Sequence, residues 1–595
     1  MDNVFDFRNR LISEYSSFSR SFSKVSAQDI LSKVEQEYDR GRYWPEPLIQ
    51  INPNYKRQST VQQLAHEGML HASCSHIFQT GKTEGKAADL HLYVHQLQAL
   101  AKAQKQQSYV VTTGTGSGKS LAFFVPIIDR ILKAKQADPQ KRTRAIVIYP
   151  MNALANSQLE ELDKFLHGYP DDQKPFTVAR YTGQESDADR KQIADNPPDI
   201  LLTNFMMLEL ILTRFEDVDR RVVEHCQGLE FLVLDELHTY RGRQGADVAL
   251  LVRRLRERLQ AHQLVCIGTS ATMSSTGTQA DRNQTVASVA SLLFGAQITE
   301  HDVIGETLER VTNPAKDIEA VKSLLKPALL KESYHWPDFA SFSDDPLAVW
   351  VELSLGIELP LNEPPRRARP VTLGDAAKRL ADDAQCTVEE AHAGLQRFLV
   401  AAHDVKTPQG RAPFAFKLHQ FISGPGKVLA TLEPEGVRHI TLDAQRYAPG
   451  RQDEGTQLYP VHFCRDCGQE YHPVWRSGQS QVEYAPREID DISGDDDENA
   501  RYGFLCPARP GQTYRGSIED LPESWLDLTK AEPKVKSTYR KYVPEDIQVS
   551  PQGWQGRGGG DYWFIPGKFR FCLNCGQTHE VHGKDINRLA SLSGE

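Results

Sequence analysis

The chain has 595 residues, room for three or four domains, with 39% hydrophobic and 9% aromatic residues, enough for ordinary globular cores. Its 79 acidic residues outnumber 69 basic ones, a formal charge of -10, which excludes a globally basic nucleic-acid coat; any such contact needs a local patch. The polar start, Met1 to Asp6, lacks a signal-peptide pattern, and no run of 18 apolar residues occurs, so no membrane partner is expected.

In chain order, residues 1–85 read as a helical region. Ala27 to Tyr38 has helical periodicity, as do Val61, Leu64, Ala65, Met69 and Leu70 after Ser59. Residues 86–275 alternate in the α/β manner. Apolar runs at Tyr109–Val111, Ala145–Tyr149, Ile200–Leu202, Phe231–Leu234 and Leu264–Ile267 read as buried parallel strands separated by helical patterns. Residues 276–455 show helical patterns at 303–328 and 374–403 around the prolines at 360, 364, 365 and 370. Strand-like runs follow at Lys427–Leu432 and Arg438–Leu442, so an accessory region, all-helical or winged-helix-like, is expected. Residues 456–595 carry two cysteine pairs with an acidic run between them (Asp490, Asp491, Asp495 to Glu498) that reads as a solvated, mobile loop. Gly556 and Gly558 to Gly560 mark a turn.

The chemistry concentrates after the strands. Thr113-Gly114-Thr115-Gly116-Ser117-Gly118-Lys119-Ser120 lies between a strand and an apolar helix, the setting of a P-loop, with Thr113 where the strict pattern has glycine. Its glycines let successive N–H groups face ATP phosphates. Lys119 then reaches the β/γ-phosphates and Ser120 holds Mg²⁺. Asp235-Glu236-Leu237-His238 follows the strand Phe231–Leu234. Taken alone it is an exposed strand end. Inside the same sheet as Lys119 it reads as a Mg²⁺ carboxylate, Asp235, beside a water-activating one, Glu236. Ser270-Ala271-Thr272 offers hydroxyls, on Ser270 and Thr272, to relay nucleotide state. Before the loop, the Gln96 amide can donate and accept at once, which suits an adenine edge, and Tyr93 offers a ring for stacking.

Cys464-x-x-Cys467 and Cys572-x-x-Cys575 are each followed by Gly-Gln. Two such turns make a tetrahedral four-thiolate site, read as structural Zn²⁺, with an iron–sulfur cluster or unliganded redox thiols as alternatives. The pairs also argue for a reducing, cytoplasmic setting. Cys506 sits in the insert without a partner nearby. Cys74, Cys226, Cys266 and Cys386 look structural, and His419 looks like packing.

Together these blocks resemble the first, RecA-like domain of superfamily 2 DExH-type helicases. Gln96, Thr113–Ser120, Asp235–His238 and Ser270–Thr272 take the places of the glutamine motif and motifs I, II and III. The resemblance implies a RecA-like P-loop NTPase domain, so with the helical patterns and cysteine pairs read above the expected fold is α/β, with a mostly helical middle region and a zinc-binding C-terminal module. It further implies that Pro150, Asn152, Thr182, Gly183, Thr203 and Asn204 touch one strand's phosphate backbone, on the face opposite the ATP. The wording Tyr149-Pro-Met-Asn-Ala-Leu-Ala, Leu234-Asp-Glu-Leu-His-Thr-Tyr-Arg-Gly and Phe463-Cys-Arg-Asp-Cys-Gly-Gln-Glu-Tyr is similar to large bacterial helicases with four-cysteine DUF1998 modules, which serve DNA repair and anti-phage defence, as in Druantia systems. A DNA translocase is therefore expected. An RNA helicase is one alternative; an ATP-gated DNA-binding scaffold or sensor of a defence complex is another. No Gln-x-x-Gly-Arg-x-x-Arg block follows, so a second RecA-like domain is expected from a continuation of the chain or a partner.

Overall fold

The computed structural model describes residues 3–21, 24–114, 116–271, 278–361, 363–424, 426–492, 500–529, 532–556, 558–579 and 583–592. Thr115, Thr272 and the acidic residues Asp495 to Glu498, singled out above, lie outside them. The chain divides into two compact units, each discontinuous in sequence: residues 51–369 with 401–416, and residues 1–50 with 370–400 and 417–595.

The first unit is built on seven strands: β1 (Tyr109–Thr112), β2 (Ala145–Tyr149), β3 (Val178–Tyr181), β4 (Ile200–Asn204), β5 (Phe231–Leu234), β6 (Val265–Ser270) and β7 (Val303–Gly305). They lie in the order β7-β1-β6-β5-β2-β4-β3, every neighbouring pair parallel. A parallel sheet covered on both faces needs apolar side chains at every position, and β2 is buried at all five. Successive residues enter opposite cores. Val111, Val147, Leu202, Val233 and Ile267 pack with Phe123 and Ile127, while Val110, Ile148, Leu201, Leu232 and Cys266 pack with Leu251 and Leu255. The helices that bear on the site are α1 (Val94–Gln104), α2 (Leu121–Ala137), α3 (Asn152–Leu166), α4 (Phe205–Thr213) and α5 (Gly242–Arg258).

The helical pattern expected over 303–328 is corrected in part. A helix spans Ile318–Leu329, but Val303–Gly305 form β7, registered Val303↔Val110 and Ile304↔Val111. Two β-branched residues beside an open parallel edge follow the edge over local periodicity. The middle of the chain is otherwise mainly helical, with Leu373–Ala384 and Val388–Ala402 covering the second expected stretch.

The second unit holds an antiparallel sheet of nine strands: β8 (Val428–Ala430), β9 (Ile440–Thr441), β10 (Tyr459–Cys464), β11 (Glu470–Ser477), β12 (Glu483–Pro486), β13 (Ala500–Pro507), β14 (Glu545–Val549), β15 (Gly560–Pro566) and β16 (Leu589–Ala590). The main path is β9-β8-β10-β11-β13-β15-β14, with β12 on β11 and β16 on β10. The two strand-like runs near 430 and 440 are β8 and β9. Among the described residues no helix is long and apolar enough to cross a membrane.

Candidate functional site

Because all seven strands of the first unit run the same way, everything at their C-terminal ends meets at one edge. Thr113, Asp235 and Ser270 lie at the ends of β1, β5 and β6. Pro150, Thr182 and Thr203-Asn204 lie at the ends of β2, β3 and β4. The strand order therefore sorts the expected nucleotide residues to one half of the edge and the expected strand-contacting residues to the other. The two sets sit side by side along one edge, where the resemblance implied opposite faces.

The phosphate loop is held from behind. Thr113 and Ser117, both buried, share a hydroxyl hydrogen bond of 2.7 Å. The Gln96 amide donates to Gly118 O at 2.8 Å and accepts from Tyr93 N–H at 2.8 Å, and His95 Nε2 lies 2.9 Å from Ser117 O. Both ends of the Gln96 amide thus serve the loop and the start of α1, with the residue 2% exposed. Gly118 has φ +66°, and a Cβ there would lie 2.7 Å from Gln96 Nε2, so glycine is required on both counts. Tyr93 stacks on His95 at 5.6 Å. Ser120 precedes α2 at the loop's far end, its hydroxyl making no capping hydrogen bond to the helix.

Lys119 Nζ lies 3.6 Å from Glu236 Oε1. Glu236 is held in the left-handed region (φ 53°, ψ 57°), unusual for a residue with a side chain and a common form of strain at active sites. Thr269 in β6 donates its hydroxyl to Asp235 and accepts from Glu236 N–H at 3.1 Å, so one side chain orients both carboxylate residues. Burial pushes the Asp235 carboxyl above its ordinary range and the nearby Glu236 adds to this, against the Thr269 hydrogen bond and the charge of Lys119. His238 Nδ1 lies 3.3 Å from both Ser270 Oγ and Glu236 Oε2, linking the third block to the second. Thr269 escaped the sequence reading, although it sits one residue before Ser270.

In the other half of the edge, Asn204 Nδ2 donates to Asn152 Oδ1 at 2.7 Å and to Thr182 O at 3.1 Å, while its Oδ1 caps α4 through Met207 N–H. The ends of β2, β3 and β4 are thereby tied together. Thr203 is fully buried and donates to Tyr181 O at 2.6 Å. Glu185, also missed, accepts from Thr182 N–H at 2.7 Å and Gly183 N–H at 2.9 Å.

The second unit brings Cys464, Cys467, Cys572 and Cys575 together, all four sulfurs within 4.8 Å of one another. Sγ separations are 3.9 Å for Cys464–Cys575 and 3.6 Å for Cys467–Cys572. Four sulfurs about 2.3 Å from a central ion stand about 3.8 Å apart at tetrahedral angles, so the cluster fits one metal ion. The two turns repeat each other. Cys464 N–H donates to Gln469 O and Gly468 N–H to Cys464 O; Cys572 N–H donates to Gln577 O and Gly576 N–H to Cys572 O. Gly468 and Gly576 have φ 77° and 73°. Tyr471 donates its hydroxyl to Cys572 Sγ at 3.1 Å. Cys506 is buried outside the cluster, and His419 bonds to Gln50.

The strand leaving the first turn is anchored by buried charge. Glu470 is 0% exposed and accepts from Arg438 Nη1 at 2.7 Å and from Arg509 Nη2 at 2.5 Å. Arg438 also donates twice to Asp29, at 2.8 Å each. Burial alone raises the Asp29 carboxyl, but Arg438 and the N–H groups of Gly436 and Ile30 outweigh it and hold the carboxyl at about 2.

A seven-stranded parallel sheet with a phosphate loop and an acidic pair at its carboxyl edge defines a RecA-like P-loop ATPase domain. More narrowly, residues 93–280 match the DEAD/DEAH box helicase family model. The Bacillus subtilis ATP-dependent helicase YprA is 34% identical over 31% of this chain and 23% of its own length. The Druantia protein DruE of Escherichia coli is 26% identical over 31% of this chain and 16% of its own. The Escherichia coli Lhr helicase/uracil glycosylase is 32% identical over 29% and 12%. This chain therefore spans less than a quarter of the length of these curated relatives. The DUF1998 helicase MrfA bound to DNA superposes loosely, at 24% identity and a TM-score of 0.33, over 48% of this chain and 35% of that one.

Proposed function

We propose that the chain is the ATP-hydrolysing part of a helicase or translocase that moves along one strand of DNA. The observation that carries this reading is the Lys119–Glu236 pair, 3.6 Å apart at the mouth of the phosphate loop, with Asp235 beside it. When ATP binds, Lys119 turns to the β/γ-phosphates and Glu236 is released to orient and deprotonate the attacking water. The hydroxyl of Ser120 and the carboxylate of Asp235 suit Mg²⁺, which would offset charge on the phosphates. Ser270, through His238, reports the state of Glu236 to neighbouring segments. Asn152, Thr182 and Asn204 position the backbone of the strand without reading its sequence. Zinc is the ion proposed for the four thiolates, in a structural role, and the reduced thiols fit a cytoplasmic setting. Arginines completing the ATP site are proposed to come from a second RecA-like domain, in further polypeptide or in a partner. The likeness to DruE supports a place in anti-phage defence, and DNA is the substrate we propose.

The test is steady-state ATP hydrolysis with single-stranded DNA, duplex DNA or RNA added, and Lys119→Ala as the blank. Stimulation by DNA supports the motor reading. Stimulation by RNA alone replaces the substrate, and ATP binding without turnover in every condition replaces the motor with a nucleotide-gated scaffold.

A further inference from the structure

The phosphate loop is also gripped at its first glycine, by residues far away in sequence. Gly114 N–H donates to Glu306 Oε2 at 3.0 Å, from the residue that follows β7. Arg367 Nη2 lies 3.4 Å from the same oxygen and donates to the Tyr55 hydroxyl at 2.7 Å, while Nη1 donates to Asn52. The guanidinium also sits 5.7 Å from the centre of the Tyr55 ring. The Arg367 and Glu306 side chains are only 15% and 20% exposed. A Cβ at Gly114 would stand 3.0 Å from Arg367 Nη2 and 3.2 Å from the Tyr55 hydroxyl, so glycine here admits the guanidinium to the loop. Tyr55 packs in turn on Tyr93 and His95, and His95 reaches Ser117 O.

A phosphate loop is built to receive negative charge. A carboxylate bonded to its first glycine works against that, unless a cation compensates it. We propose that Glu306 and Arg367 are positioning residues of the nucleotide site. Glu306 fixes the start of the loop through Gly114 N–H, and Arg367 neutralises that carboxylate so that the loop accepts the polyphosphate. The proposal rests on the ATP-site reading above and adds to it a charge pair that no motif contains.

A pair that merely holds the fold together and a pair that balances charge differ in sign. If the role is structural, removing both residues is at least as harmful as removing Arg367 alone. If Arg367 balances charge, its loss leaves Glu306 facing the phosphates, and neutralising Glu306 then restores binding. The experiment measures the affinity of the full 595-residue chain for a fluorescent non-hydrolysable ATP analogue with Mg²⁺. The variants are Arg367→Ala, Arg367→Lys, Glu306→Gln and the Arg367→Ala/Glu306→Gln pair. The expected result is a loss of about tenfold for Arg367→Ala, which leaves the Glu306 charge uncompensated at the start of the phosphate loop. The double variant recovers most of that loss, Arg367→Lys keeps most of the affinity, and Glu306→Gln alone tightens binding. A double variant no better than Arg367→Ala overturns the proposal. Should Arg367→Ala fail to fold, Glu306→Gln decides: weaker binding overturns the charge argument. Lys119→Ala run alongside separates the two levels, because a Lys119→Ala protein that binds as tightly as wild type refutes the ATP-site reading itself.

Discussion

Replacing Arg438 by methionine keeps much of the aliphatic stem and removes the charge. Arg438 is 7% exposed, and its guanidinium makes three hydrogen bonds to carboxylates, two to Asp29 and one to Glu470. The change leaves Glu470, fully buried, with Arg509 alone, and breaking a buried ion pair from one side costs about 3–5 kcal/mol. Asp29 supplies part of this. Holding its carboxyl at about 2 instead of 3.8 corresponds to roughly 2 kcal/mol at full strength, and to about 1 after solvent screening of a partly exposed group. The expected deficit is therefore about 3–4 kcal/mol at pH 7. The folded-state pKa of Asp29 lies below its unfolded value, so its contribution is present above about pH 4 and is lost as pH falls towards 2. Urea unfolding, followed by tryptophan fluorescence, to which Trp44, Trp475, Trp525, Trp554 and Trp563 of this unit contribute, measures the deficit at pH 7 and at pH 3. Because the chain holds two compact units, the transition of this unit is analysed separately. A deficit below about 1 kcal/mol at pH 7, or one that does not shrink in acid, refutes the reasoning.

Lys119→Ala lowers ATP hydrolysis by about 100-fold or more, read by phosphate release, with the melting temperature nearly unchanged. Thr269→Val removes the hydroxyl shared by Asp235 and Glu236; loss of one hydrogen bond to a charged group predicts about 10- to 100-fold slower single-turnover hydrolysis, with Thr269→Ser close to wild type. Asn204→Ala unties three strand ends and removes the cap of α4, which costs about 1–2 kcal/mol of stability and weakens single-stranded DNA binding in a filter or anisotropy assay. Elemental analysis finds about one zinc per chain, and Cys467→Ser lowers that content and the melting temperature of the second unit together.

The parallel sheet was legible because each strand is buried on both faces, and an unbroken run such as Ala145–Tyr149 has few other readings. The short edge strand β7 was not: Val303 and Ile304 sit inside a helical pattern, and only the presence of β1 decides their conformation. The loop and the acidic pair announce themselves because their chemistry is contiguous. Their supports do not. Glu306 stands 192 residues from Gly114, and no local spacing connects them. The second unit's sheet was hidden for a different reason. A strand such as β11, Glu470–Ser477, carries a buried glutamate, a histidine and a proline, so it lacks the alternation that marks a half-buried strand. Its cysteine turns were readable, and their repeat of hydrogen bonds is the structural counterpart of the repeated Cys-x-x-Cys-Gly-Gln.

Those two turns have a topological consequence. They lie at the two ends of a 104-residue stretch, residues 468–571, and an ion shared between them closes that stretch into a ring. Either pair alone offers an ion only two thiolates, so full affinity arises only after the intervening strands have folded and carried the pairs together. Tight metal binding would therefore report that the strands between the pairs have folded. A chain cut once between the pairs would stay joined for as long as the ion stays bound.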